Sequence, residues 1–135
     1  MAGLILNNRP LPGGVLIVVS GEVDATNAGQ LETYIIDHCR PGEHVVLDLS
    51  AMTFMDSHGL LALLHTHDFT HRHGADLHLA AVHPMPLRVL ELAGIHWALN
   101  IHPDVRQASA AISASRHHGP SRRGRCEPDR QPGSG

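Results

Sequence analysis

Apolar residues in this chain alternate between short β-branched runs and stretches in which they recur every three or four positions. Val15-Leu16-Ile17-Val18-Val19 and Val45-Val46-Leu47-Asp48-Leu49 are too short for helices and are flanked by polar residues, which suits strands covered on both faces. Leu4 to Leu6 predicts a short first strand, and the turn formers from Asn7 to Gly14 predict a loop after it. Gly21-Glu22-Val23-Asp24 is expected to end the second strand. A first helix follows, opened by a capping box of Asn27 and Gln30, with Ala28, Leu31, Ile35 and Cys39 on one face. Arg40-Pro41-Gly42-Glu43 closes it.

After Leu49, a second apolar patch (Met52, Phe54, Met55) leads to a polar knot, Asp56-Ser57-His58-Gly59. A leucine-rich stretch without Gly or Pro then predicts a second helix to about His73, stopped by Gly74. Leu77, Leu79 and Ala81 alternate with Asp76, His78 and Ala80, the pattern of a strand with one wetter face. Prolines at 84 and 86 open a third helix that runs to Ala93 and Gly94, and Leu99 to Ile101 predicts a short strand. Pro103-Asp104 begins a last helix with Val105, Ala108 and Ile112 facing inward. The order β, β, α, β, α, β, α, β, α implies an α/β layer with a largely parallel sheet.

At 135 residues the chain has room for one domain with a sizeable core. That domain is expected over residues 1–114, with 115–135 a disordered tail rich in Gly, Pro, Ser and Arg. The charge divides in the same way. Residues 1–114 hold five Arg against eleven acidic residues, and the tail five Arg against two, or −6 and +3. An acidic globular part argues against a nucleic-acid surface and for a protein partner. No apolar run approaches the roughly 18 residues that span a bilayer, and no leader pattern opens the chain, so a cytoplasmic location is expected. Cys39 and Cys126 make no disulfide framework.

Among the chemistry-bearing residues, Ser57 stands where a strand gives way to a helix. Such a serine commonly caps the helix, satisfying its free backbone N–H groups. Asp56 is able to take that role instead, leaving the hydroxyl at the positive end of the helix dipole, where a phosphate would be accommodated. The residues alone leave both readings open. A hydrolase is excluded by motif, because Met55 and Asp56 precede Ser57 where a nucleophile elbow needs Gly-x. His58, its chain neighbour, diverges from it by about 100° on a helix and makes a poor base. His67 and His71 have the four-residue spacing that brings two imidazoles to one metal, but no H-E-x-x-H pattern or Cys pair accompanies them, so no metal site is expected. The thirteen histidines, in a chain without lysine, further weaken that signal. No phosphate-cradling loop is present in the sequence, and no cofactor is expected.

Three segments together carry a family resemblance: Gly21-Glu22-Val23-Asp24 with Asn27-Ala28, Val46-Leu47-Asp48-Leu49-Ser50, and Met52-Thr53-Phe54-Met55-Asp56-Ser57-His58-Gly59-Leu60, with Gly94 as a further match. Over roughly residues 4–113 the chain resembles the STAS-domain anti-sigma factor antagonists. The resemblance implies a single STAS domain: a mixed, mostly parallel sheet of about five strands with about four helices packed mainly on one side. It implies a regulator and not an enzyme. Its partner would be an anti-sigma factor that is also a serine/threonine kinase, which phosphorylates Ser57 and thereby ends the interaction, and a phosphatase would reset it. Asp24, Asp56, His58 and Gly59 would flank the switch, and Leu60, Leu61, Leu64, Thr26 and Asn27 would meet the partner. His58 departs from the small residue common after the serine. The alternative within the same resemblance is a STAS accessory subunit of a membrane lipid ABC transporter.

Overall fold

A computed structural model describes residues 3–118. The elements are β1 (Ile5–Leu11), β2 (Gly14–Val23), α1 (Ala28–Asp37), β3 (His44–Met55), α2 (Ser57–Arg72), β4 (Leu77–Ala80), α3 (Pro84–Leu92), β5 (Asn100–His102) and α4 (Val105–His118), with a 3-10 turn at His96–Ala98 before β5. The five strands form one sheet in sequence order. β1 is antiparallel to β2, and every other neighbouring pair is parallel.

The period-2 alternation of the strands builds two cores. Ile17, Val19, Val45, Leu47, Leu49, Leu77 and Leu79 point to one face, where they meet Leu31 and Ile35 of α1, Ala62 and Leu63 of α2 and Leu90 of α3. Leu16, Val46 and Ala80 point to the other, under Ala108 and Ile112 of α4. Three helices thus cover one face and α4 covers the second. This explains why β4 has no wetter face: all four of its residues are buried. Ala81 lies outside the strand, in the left-handed region at φ 58°.

Several element boundaries differ from the sequence reading. Asn7 to Leu11 belong to β1, paired along β2 from Ile5↔Ser20 to Leu11↔Gly14, and the connecting loop shrinks to Pro12-Gly13. Pro12 pre-sets one turn residue and Gly13 supplies the positive φ of the other, while the edge position of β1 tolerates Pro10 and three exposed polar side chains. β2 continues through Gly21 to Val23 and β3 through the second apolar patch to Met55, because each extension pairs with the other (Gly21↔Met52, Val23↔Met55) across shifts in register. Gly21 sits at φ +105°, and a Cβ there would lie 2.0 Å from the carbonyl oxygen of Gly3. Cys39 falls beyond α1, which ends at Asp37. The strand expected over Leu99–Ile101 begins one residue later, with Leu99 buried in the larger core. α4 reaches His118, past the expected domain boundary at 114, and residues 119–135 of the expected tail lie outside the described residues.

Candidate functional site

Parallel strands deliver their following loops to the same end of a sheet, and here β2 and β3 finish side by side at Val23 and Met55. The next residues, Asp24 and Asp56, are therefore neighbours in space. The Asp56 N–H donates to the Val23 carbonyl at 3.1 Å, stitching the two exits together.

On the β3 side, Asp56 is the N-cap of α2. Its carboxylate accepts the backbone N–H of His58 at 2.8 Å and of Gly59 at 3.3 Å. Ser57 is the first helical residue and is exposed, so its hydroxyl is left out of the cap. The exposed His58 ring turns back toward Asp56, with Nδ1 3.6 Å from the carboxylate. Gly59 is buried for a packing reason: a Cβ there would stand 2.5 Å from Met55 Cγ and 3.0 Å from Val23 Cγ1. The start of α2 thus lies directly on the ends of both strands.

On the β2 side the loop into α1 is held by its own side chains. The Asp24 carboxylate accepts both the backbone N–H and the hydroxyl of Thr26. These bonds, the hydroxyl foremost, hold the Asp24 carboxyl below its usual range, and the nearby His58 adds to the effect when charged. Asn27 forms no capping box. Its Oδ1 accepts the Asp24 N–H and its Nδ2 donates to the Glu22 carbonyl, each at 2.9 Å, so the side chain braces the turn and makes no side-chain cap for α1. Thr26 and Asn27 were expected at a partner surface; both are also internal struts of this loop. The signal for Thr26 was present in Asp24-Ala25-Thr26, a spacing at which side chain and backbone close a local turn.

Leu61 is half exposed and lies one turn beyond Ser57, while Leu60 and Leu64 are partly buried, Leu60 against the larger core. His65 reaches Glu32 of α1 at 3.3 Å and ties the two helices together beyond the site. The assembled surface presents the exposed Ser57 hydroxyl, the Asp24 and Asp56 carboxylates, the His58 imidazole and an apolar ridge, with no general base paired to the Ser57 hydroxyl among the described residues.

His67 and His71 are neighbours on α2, as their four-residue spacing requires. The His67 and His71 rings are stacked with centroids 6.5 Å apart, and His71 faces Asp76. A tighter group, missed because strand β3 and helix α2 separate its first member from the other two in the chain, joins His44, Asp76 and His78.

The STAS domain family model matches residues 7–108. An anti-sigma F factor antagonist from Paenibacillus polymyxa is 32% identical over 92 residues, covering 66% of this chain and 79% of that protein. The crystal structure of an anti-sigma factor antagonist from Mycobacterium paratuberculosis has a TM-score of 0.74 at 26% identity, over 82% of this chain and 95% of that one. The phosphorylated form of the Bacillus cell fate determinant SpoIIAA shares the fold, with a TM-score of 0.63 at 17% identity over 80% and 99% of the two chains.

Proposed function

Because the chain belongs to the STAS domain family, we propose that it is an anti-sigma factor antagonist whose hold on its partner is ended by phosphorylation of Ser57. The observation that carries this reading is the division of labour at the start of α2: Asp56 caps the helix and Ser57 is left exposed beside an apolar ridge. The names of the similar Paenibacillus and Mycobacterium proteins supply the partner class, an anti-sigma factor. The partner is also the serine kinase, a phosphatase reverses the modification, and this protein performs no catalysis itself.

The physics of the off state lies in the surroundings of Ser57. Phosphorylation adds about −1.5 to −2 charges. The α2 amides that would receive them are already bonded to Asp56, and Asp24 holds a second negative charge close by. Among the described residues, His58 is the neighbour placed to offset such charge when its ring is protonated. A dianion so placed stays hydrated, and docking Leu61 and its neighbours against a partner would strip that water. Since about 1.4 kcal/mol is a tenfold change in affinity, a modest penalty suffices to release the partner. The domain need not unfold.

The test is incubation with cognate anti-sigma kinase and ATP, with the phosphate mapped by mass spectrometry. Incorporation at Ser57 is expected, and its absence with the cognate kinase would sink the switch. In direct binding measurements, Ser57→Ala should retain the unoccupied anti-sigma factor and Ser57→Asp should lose at least tenfold in affinity. Equal binding by the two variants would show that charge at this position is not the control.

A further inference from the structure

The amino ends of β3 and β4 carry a second constellation, far from Ser57. Val45 pairs with Leu77, so the preceding residues His44 and Asp76 stand side by side, and His78 follows on the same face of β4 as Asp76. One donor atom from each of His44, Asp76 and His78 lies within 4.8 Å of the others. The rings of His44 and His78 meet edge to face with centroids 5.8 Å apart. His102, at the end of β5, stands behind them, with Nε2 2.9 Å from His78 Nδ1.

His78 is the telling residue. It is only 7% exposed, yet its Nε2 is buried without a hydrogen-bond partner among the described residues. An orphaned buried ring nitrogen is costly, and the cost ends if a ligand takes it up. With His78 Nδ1–H donating to His102, Nε2 carries the lone pair. This is the arrangement in which a ligating histidine is oriented by a second, outer group. His44 also presents an acceptor: its Nδ1 takes the Asp76 backbone N–H at 3.0 Å, so a neutral ring holds its proton on Nε2. An ion bound at that Nδ1 would replace the amide as its partner, with no proton released.

We propose that His44, Asp76 and His78 form a binding site for a divalent transition-metal ion of the zinc class, with His102 as the outer group that orients His78. Two imidazoles and one carboxylate are the donor set such ions favour over Mg²⁺ or Ca²⁺, and three protein ligands leave a fourth position for water. Donors around tetrahedral zinc stand about 3.3 Å apart, so closing the group needs movements on the order of 1 Å, which half-exposed Asp76 can supply. His71, with Nδ1 3.8 Å from the Asp76 carboxylate, borders the open side. The ion would clamp the first residues of β3 and β4, about 35 Å along β3 from the Ser57 end. Its role would be to hold the sheet and not to take part in the switch.

The experiment uses the full chain with Zn²⁺ alone, measured by competition with a chromophoric chelator, and Co²⁺ as a spectroscopic stand-in. One ion per chain with a four-coordinate Co²⁺ spectrum is expected. Asp76→Asn and His78→Gln should each weaken binding tenfold or more, whereas His67→Gln, which breaks the i, i+4 pair on α2, should leave it unchanged. Because His78 is buried and its variant need not fold, nitrogen NMR of the unsubstituted chain gives an independent reading: Zn²⁺ should move the ring signals of His44 and His78. Shifts confined to His67 and His71 or to other histidines, or no saturable binding at one equivalent, would overturn the proposal.

Discussion

Gly59 shows how one missing side chain fixes a site. In an exposed helix, Gly→Ala is stabilising by roughly 0.5–1 kcal/mol. At this position the new methyl would press on Met55 and Val23, which are both buried. Overpacking of this kind typically costs about 1–3 kcal/mol, so Gly59→Ala should lower stability on balance, read as a lower urea midpoint with an unchanged m-value. A gain in stability would show that Met55 swings away freely. At the same scale, a strand-to-helix turn with a capping side chain at Asp56-Ser57 was legible in the sequence, because capping is chemistry between residues two or three apart. The residues alone leave open which of the two caps, and the structure gives Asp56 that role. The packing reason for Gly59 was not legible, because Val23 reaches it only through the pairing of two strands. The brace made by Asn27 was hidden by a capping-box spacing that local pattern reading could not distinguish from it.

Among the elements, α2 carries the candidate site, and its first turn depends on one side chain. Asp56→Ala should cost about 0.5–2 kcal/mol of stability, the usual loss for a removed N-cap. Hydrogen exchange at His58 and Gly59 should quicken more than exchange further along α2. Uniform acceleration would mean that the cap matters only to global stability. Element type and order were readable throughout, since runs of β-branched residues and helical periodicity are local signals. Strand ends were not. Asn7 to Leu11 looks like a loop by composition and becomes a strand because β2 offers an edge to pair with. Phe54 and Met55 extend β3 because β2 extends beside them.

For the molecule as a whole, the two-sided burial of the sheet has an acid-side consequence. Burial, with charge on His102 and His44 adding to it, pushes the His78 pKa down to about 4, against the opposing pull of Asp76, and burial also lowers His44. The unfolded chain binds these protons near the ordinary pKa of 6.5, so it takes up more protons than the folded chain between that value and about 4. Stability from this source is full above pH 6.5 and is lost as pH falls toward 4. For His78 the loss is at most about 3 kcal/mol, reduced where water screens the open side of the group. Urea titrations in the presence of a chelator should show this slope, and His78→Gln should flatten it. An unchanged slope in a folded His78→Gln variant would assign the acid sensitivity elsewhere. The single-domain α/β plan was legible at this scale. The placement of α4 on the second face was not, because an amphipathic helix does not announce which side of a sheet it will cover.

The bond from Asp56 N–H to the Val23 carbonyl, with Gly59 wedged against both strand ends, bears on how Ser57 can be read. A segment pinned in this way cannot be drawn out into an extended thread without dismantling the ends of two core strands. Any enzyme that modifies this hydroxyl must therefore accept a folded helix start, with Asp24 and the Thr26 loop presented alongside it from another part of the chain. A free peptide of residues 52–64 carries the same letters but lacks that relief. For the proposed modification of Ser57, recognition would then be a matter of matching a solid surface, and specificity would reside in the fold more than in the local word.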